Sequence, residues 1–154
     1  MNTANCGSVA APAEVMLALV LVGWCVSLCV TDLRAHRLPN YLTLPGFAAV
    51  LGYAAYTGQV AMALAYGIGL AALHGAVWWV SPGSMGAGDV KLALGLGAVS
   101  GLAGPAAWMG AAIAAPVITA IWGIASFSRT GGRVPHGPSM CVATLGALGL
   151  AVWG

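Results

Sequence analysis

Long apolar stretches separated by short turns constrain the fold of this chain more than any other feature of its sequence. Hydrophobic residues make up 60% of the chain and charged residues only 5%, and the mean hydropathy is +0.94. Soluble domains carry roughly a quarter charged residues, whereas a run of about 20 apolar residues can cross a lipid bilayer as a helix. The sequence therefore predicts an all-α, polytopic integral membrane protein surrounded by the lipid bilayer.

About six membrane-spanning helices with short connections fit into the 154 residues. Turn-forming Pro, Gly and Asn residues interrupt the apolar runs where this number of helices requires a loop. The predicted spans lie near residues 12–31, 41–57, 60–80, 89–103, 105–127 and 139–153. No Lys or Arg precedes the first apolar run, so we expect a retained span rather than a signal peptide. Since no interior stretch is polar enough for a second domain, residues 1–154 are predicted to form a single membrane-embedded domain.

The positions of the charged residues predict the orientation in the membrane. All five basic residues lie beside the first, third or fifth connection between spans, namely Arg34, Arg37, Lys91, Arg129 and Arg133. Because Lys and Arg next to a span are retained in the cytoplasm, we predict a multi-pass protein of the cytoplasmic membrane with both termini extracytoplasmic. The formal net charge of +2 is too small to indicate a nucleic-acid partner.

Two of the three acidic residues, Asp32 and Asp89, lie at the same predicted depth, at the cytoplasmic ends of the first and fourth spans. An ionisable group in so apolar a chain is costly, and it marks a functional site by default. Two aspartates that approach each other can share a proton, so that one accepts a proton from water while the other polarises a carbonyl. The pair therefore predicts the chemistry of an aspartic protease, if the fold brings the two side chains together.

The two carboxylates are predicted to differ in their surroundings. Asp89 stands where a helix begins, and the positive end of the helix dipole favours its ionised form. Asp32 stands near a helix C-terminus, which disfavours ionisation. We therefore expect Asp32 to hold a shared proton more of the time.

Two glycines, Gly86 and Gly88, directly precede Asp89 in the sequence G-A-G-D. They leave room for the backbone of a bound peptide, and they allow the positive φ angles that a tight entry into a helix can require. The same residues also fit a plain glycine turn that an aspartate caps. This short motif alone leaves both interpretations open.

Two other classes of protein are compatible with the paired aspartates. A small proton-coupled transporter or channel subunit could use them as a proton relay, although a carrier is expected to hold its acidic groups near the middle of the bilayer. In a non-catalytic scaffold of a secretion machine both aspartates would be dispensable.

Three segments together resemble, in order and spacing, the motifs of the type IV prepilin peptidase family. They read T-D-L-R-A-H-R-L-P-N at residues 31–40, M-G-A-G-D-V-K-L at residues 85–92 and V-P-H-G-P-S-M at residues 134–140. The resemblance implies an intramembrane aspartic endopeptidase that removes the short basic leader of prepilins at the cytoplasmic membrane face, usually after a glycine. It implies catalytic roles for Asp32 and Asp89. We expect no metal or organic cofactor.

The resemblance also implies substrate-binding or supporting positions and partners. The matching positions are Gly86, Gly88, Lys91, Pro39, Asn40, Gly137 and Pro138. The implied partners are a prepilin substrate and pilus or secretion machinery. Longer family members carry two C-x-x-C pairs associated with zinc and with N-methylation of the product, and this chain has neither pair. It is similar to the short peptidases of tight-adherence (Flp) pilus systems, so we do not expect methyltransferase activity.

The remaining polar and small residues receive plainer predictions. We expect His36 and His136 to be solvated loop residues, and His74 to bond to a neighbouring helix. The G-x-x-x-G formed by Gly97 and Gly101 is predicted to let two helices pack closely. The cysteines are predicted to be packing residues.

Overall fold

The computed structural model describes residues 12–35, 38–80, 85–130 and 136–153, and every regular element among them is an α-helix. The helices are α1 Pro12–Ala35, α2 Asn40–Tyr56, α3 Val60–Val80, α4 Ala87–Leu102, α5 Pro105–Thr130 and α6 Gly137–Trp153. The prediction of an all-α fold is therefore confirmed for these residues. Some residues discussed above lie outside the described part of the chain, namely His36, Arg37 and Arg133.

The helices begin and end near the turn signals of the sequence. Two connections turn at glycines with positive φ, which are Gly58 at 73° and Gly104 at 122°. This conformation is open to glycine at little cost. The main difference is at the end of α1, which continues to Ala35 instead of ending near residue 31. No Gly or Pro interrupts the chain at that point, so Asp32 lies in the last turn of the helix and not in a loop.

Helix α4 lies at the centre of the fold and packs against α2, α3, α5 and α6. Its side facing α3 carries Gly97 and Gly101. A Cβ added at Gly97 would lie 2.7 Å from Cβ of Leu70 and 2.8 Å from the carbonyl oxygen of Tyr66. A Cβ added at Gly101 would overlap the side chain of Tyr66. The predicted close packing through the G-x-x-x-G is confirmed, and its partner is α3.

Helices α1 and α6 meet through sulfur-containing and small side chains. Cys141 on α6 packs against Cys25 and Cys29, which lie one turn apart on α1. These three cysteines are free, and Leu28 and Met140 complete the buried contact. The predicted packing role of these cysteines agrees with this arrangement.

Among the described residues, three helices are long and apolar enough to cross a membrane: Glu14–Ala35, Val60–Val80 and Pro105–Ala125. Large apolar side chains cover the outer surface, including Leu19 at 66% exposed, Ile124 at 81% and Leu150 at 77%. Exposed apolar surface of this extent is expected where lipid replaces water. These features indicate a membrane protein.

Candidate active site

Asp32, in the last turn of α1, is only 6% exposed. Its Oδ2 accepts a hydrogen bond of 3.1 Å from the backbone amide of Gly137, the first residue of α6. The first amides of a helix have no partner within that helix, and they favour a negative group. At Asp32, α6 therefore opposes the effect of the α1 C-terminus. The surroundings of the two aspartates are more alike than the sequence predicted.

Asp89 is the third residue of α4 and is also 6% exposed. Its Oδ2 accepts a hydrogen bond of 2.9 Å from the amide of Gly86, and its own amide donates to the carbonyl of Gly86 at 3.0 Å. This reciprocal pattern caps the helix. Gly86 has a φ of −88° and Gly88 is not among the positive-φ glycines, so the expected use of positive φ is wrong. Asp89 is thus a helix cap and a buried carboxylate at once.

Asp32 and Asp89 lie at the same end of the helix bundle, near enough for the charge of Asp32 to act on Asp89. Two buried like charges near each other are costly to ionise at the same time. One oxygen of each carboxylate is held by a backbone amide. Such a pair can take a proton from water at one carboxylate and supply a proton from the other.

Several supporting residues fix the start of α2 against the start of α4. The ammonium of Lys91 donates a hydrogen bond of 2.9 Å to Oδ1 of Asn40. Pro39 precedes Asn40 as the extended N-cap residue of α2. A Cβ added at Gly88 would lie 3.0 Å from Cβ of Leu38, so Gly88 lets the α1–α2 connection approach closely. The first two motifs therefore contact each other directly.

Gly137 and Pro138 are buried at the start of α6. A Cβ added at Gly137 would lie 2.8 Å from Oδ2 of Asp32, which is too close for any residue other than glycine without a shift. Proline is tolerated in the first turn of a helix because its missing N–H would have no partner there. The third motif thus contacts the aspartate of the first.

His136 is buried at 7% exposure, so the prediction of a solvated loop residue is wrong. Its Nδ1 lies 2.7 Å from Oγ1 of Thr119 on α5, and its carbonyl oxygen accepts a hydrogen bond of 2.7 Å from Oγ of Ser139. The side chains of Thr119 and Ser139 also contact each other. The charges near His136 suggested exposure, whereas its burial depends on α5, which no local pattern identifies as its neighbour.

His74 on α3 contacts His136, with ring centroids 5.7 Å apart. Its Nδ1 lies 2.9 Å from the carbonyl oxygen of Leu70 in its own helix, whereas a bond to a neighbouring helix was expected. Burial, and to a smaller extent His74, lowers the pKa of His136 to about 4. His136 is therefore neutral near neutral pH.

A cavity of about 260 Å³ lies between α3 and α5 beside the two histidines. Leu73 and Pro116 form part of its apolar wall, and Thr119 and His136 also line it. In the described part of the chain, no three His, Cys, Asp or Glu side chains are grouped so that they could hold a metal ion.

The fold and the site define an all-helical protein with helices of membrane-spanning length and two buried carboxylates at the same end of the bundle. A model of the type IV leader peptidase family matches residues 19–124, which include Asp32 and Asp89 and end before α6. The chain belongs to the type IV leader peptidase family, and membership implies a protease of the leader peptidase type. The resemblance found in the sequence is thereby confirmed. Searches of curated proteins and of solved structures find no match.

Proposed function

We propose that this protein is an intramembrane aspartic endopeptidase that removes the basic leader of type IV or Flp-type prepilins at the cytoplasmic face of the cytoplasmic membrane. Asp32 and Asp89 are the catalytic residues in this proposal. The observation that carries it is the burial of both aspartates at one end of the bundle, where a backbone amide holds each carboxylate and the charge of Asp32 acts on Asp89.

The hydrolysis requires one ionised and one protonated carboxyl group. The ionised carboxylate takes a proton from water, whose oxygen attacks the carbon of the scissile carbonyl. The protonated carboxyl group donates its proton to the carbonyl oxygen. When the tetrahedral intermediate collapses, the C–N bond breaks, the amine leaves with a proton from one carboxyl group, and a hydroxyl group of the intermediate returns its proton to the other carboxylate. These steps use no metal or organic cofactor.

The described helices support a six-span arrangement with residues 1–154 as one membrane-embedded domain. Helices α4 and α6, with 16 and 17 residues, are about 24 to 26 Å long, which is slightly less than a hydrocarbon core of about 30 Å. Asp32, Asp89 and Lys91 lie at the same end of the bundle, and the basic residues assign that end to the cytoplasm. Both termini are then extracytoplasmic, and a reporter fused after residue 154 that is active only outside the cytoplasm tests this orientation.

The substrate follows from the same topology. A basic leader stays in the cytoplasm, and the apolar helix that follows it enters the bilayer, so the bond between them reaches the membrane surface. Gly86 is exposed beside Asp89, which supports the passage of substrate backbone at this point. Pilus or secretion machinery is the proposed further partner.

A proton-coupled carrier is less well supported. Its acidic groups would lie near the middle of the bilayer, whereas Asp32 and Asp89 lie in the last turn of α1 and the first turn of α4. No feature of the described residues favours this alternative over the peptidase.

The proposal is tested by co-expressing a Flp-type prepilin with the wild type, Asp32→Asn or Asp89→Asn and following leader removal by gel shift. We expect complete processing by the wild type and none by either variant. Glu14→Gln is the matched control because it neutralises the third acidic residue, which is exposed in the first turn of α1. This control should process the prepilin normally.

Each contrary result has a separate meaning. Cleavage by either asparagine variant would end the dyad mechanism. Unprocessed prepilin with the wild type would count against the assigned substrate. A normal function of both asparagine variants in a secretion assay would favour the scaffold.

A further inference from the structure

The side chain of His136 and the cavity beside it are not used by the proposed mechanism. We propose that His136 is a positioning residue, which holds the backbone amide of Gly137 on Asp32 through its hydrogen bond to Thr119. This inference rests on the proposed catalytic role of Asp32.

The number of protons on the side chains of Thr119, His136 and Ser139 determines which group donates each hydrogen bond among them. Ser139 has one hydroxyl proton, which it donates to the carbonyl oxygen of His136. Thr119 also has one proton, and we assign it to the carbonyl of Ala115 at 3.0 Å or to Ser139, which can only accept in this contact because its own proton goes to the carbonyl of His136. The contact of 2.7 Å between Thr119 and Nδ1 of His136 is then a hydrogen bond only if Nδ1 carries a proton and donates it.

His136 is therefore held at two points. Its ring donates to Thr119 on α5, and its carbonyl accepts from Ser139 in the first turn of α6. The residue that follows is Gly137, whose amide donates to Asp32 at 3.1 Å. Since the peptide bond between residues 136 and 137 is planar, fixing the carbonyl of His136 also fixes the direction of the Gly137 N–H.

The tautomer has a consequence for the second ring nitrogen. Nε2 of His136 is buried and has no hydrogen-bond partner among the described residues. In the neutral tautomer with the proton on Nδ1, Nε2 is a hydrogen-bond acceptor. A buried acceptor without a partner is tolerated better than a buried donor without one. The buried, unpartnered Nε2 thus favours the neutral tautomer of His136 in which Nδ1 carries the proton and donates to Thr119.

His136 and Thr119 both line the cavity, so the test must separate the positioning role from that of a pocket wall. A residue that only forms the wall of a substrate pocket changes KM, whereas a residue that sets the geometry of Asp32 changes kcat. The two roles are therefore separated by kinetics.

The test measures cleavage of a prepilin peptide by the full-length protein in detergent micelles. We expect His136→Phe and Thr119→Val to lower kcat by at least about tenfold with KM within about twofold of the wild type. His136→Asn, which keeps a donor at the position of Nδ1, and Thr119→Ser should restore most of the rate. The double variant should be no slower than either single variant because both remove the same link.

A second measurement needs neither substrate nor activity. Hydrogen exchange of the 15N-labelled Gly137 amide should be slow in the wild type and in Thr119→Ser, and at least about tenfold faster in His136→Phe and Thr119→Val. Unchanged exchange in the last two variants would overturn the inference, as would a rise in KM at constant kcat. If the wild type cleaves no peptide but the exchange pattern is as expected, the peptidase proposal fails and the positioning role stands.

Discussion

The backbone amide of Gly137 donates a hydrogen bond of 3.1 Å to Oδ2 of Asp32, although 105 positions separate the two residues in the chain. This contact joins the first and last described helices at the candidate site. It also explains why glycine stands at the beginning of α6, since any Cβ there would lie 2.8 Å from the same oxygen.

Gly137→Ala is expected to lower the cleavage rate by at least about tenfold, because the new methyl group displaces the carboxylate of Asp32. The measurement is kcat/KM with a prepilin peptide. Gly149→Ala is the matched control in the same helix, where an added Cβ meets nothing within 4 Å. Equal rates for the two alanine variants would contradict the proposed geometry.

Gly97→Ala is expected to destabilise the protein by about 1 to 3 kcal/mol, since the added Cβ would lie 2.7 Å from Leu70 across a closely packed helix pair. Denaturation in detergent measures the change. Gly52→Ala on α2 has open space around the new methyl group and is expected to stabilise its helix slightly. The prediction fails if both variants unfold under the same conditions.

Lys91→Met and Asn40→Leu each remove one partner of the hydrogen bond between α4 and α2. Both side chains are exposed, so we expect a coupling energy of only roughly 0.5 kcal/mol in a double-mutant cycle of stability. The effect on kcat/KM should be larger, because this contact lies within one turn of Asp89. If the effects of the two substitutions on the logarithm of kcat/KM simply add in the double variant, the contact does not support the site.

Stability is expected to depend on pH through His136, whose pKa burial lowers to about 4, against about 6.5 in an unfolded chain. Between these values the unfolded state binds a proton that the folded state does not, so the free energy of unfolding falls as the pH falls through this window. From about pH 7.5 to about pH 5 the contribution is about 2 kcal/mol. Denaturation of the wild type and of His136→Phe at both pH values measures the contribution of His136 to the free energy of unfolding. If the two proteins have the same pH dependence of stability, the prediction is refuted.

The sequence predicted the helices better than it predicted the contacts of the candidate site. Long apolar runs interrupted by Gly and Pro predicted the helices well, because helix formation and its termination are local. The placement of Asp32 and Asp89 at the same end of the bundle rested on topology and on family motifs. The contacts of Lys91 with Asn40 and of Gly137 with Asp32 depend on how distant helices pack, which local patterns do not report.

The prediction for His136 was wrong because its neighbours in the fold are distant in the sequence. The charged residues around it in the sequence predicted a solvated side chain, whereas α5 covers it and Thr119 binds its ring. The dipole argument for Asp32 was incomplete for a related reason, because it considered only α1 and not the start of α6.

The position of Gly137 in α6 has a consequence for the biogenesis of the protein. During synthesis α1 and α4 leave the ribosome before α6, so both aspartates enter the membrane while the amide that holds Asp32 has not yet been made. A nascent chain is therefore expected to remain inactive until α6 has been inserted. The cleavage activity would then begin only after translation has passed this helix.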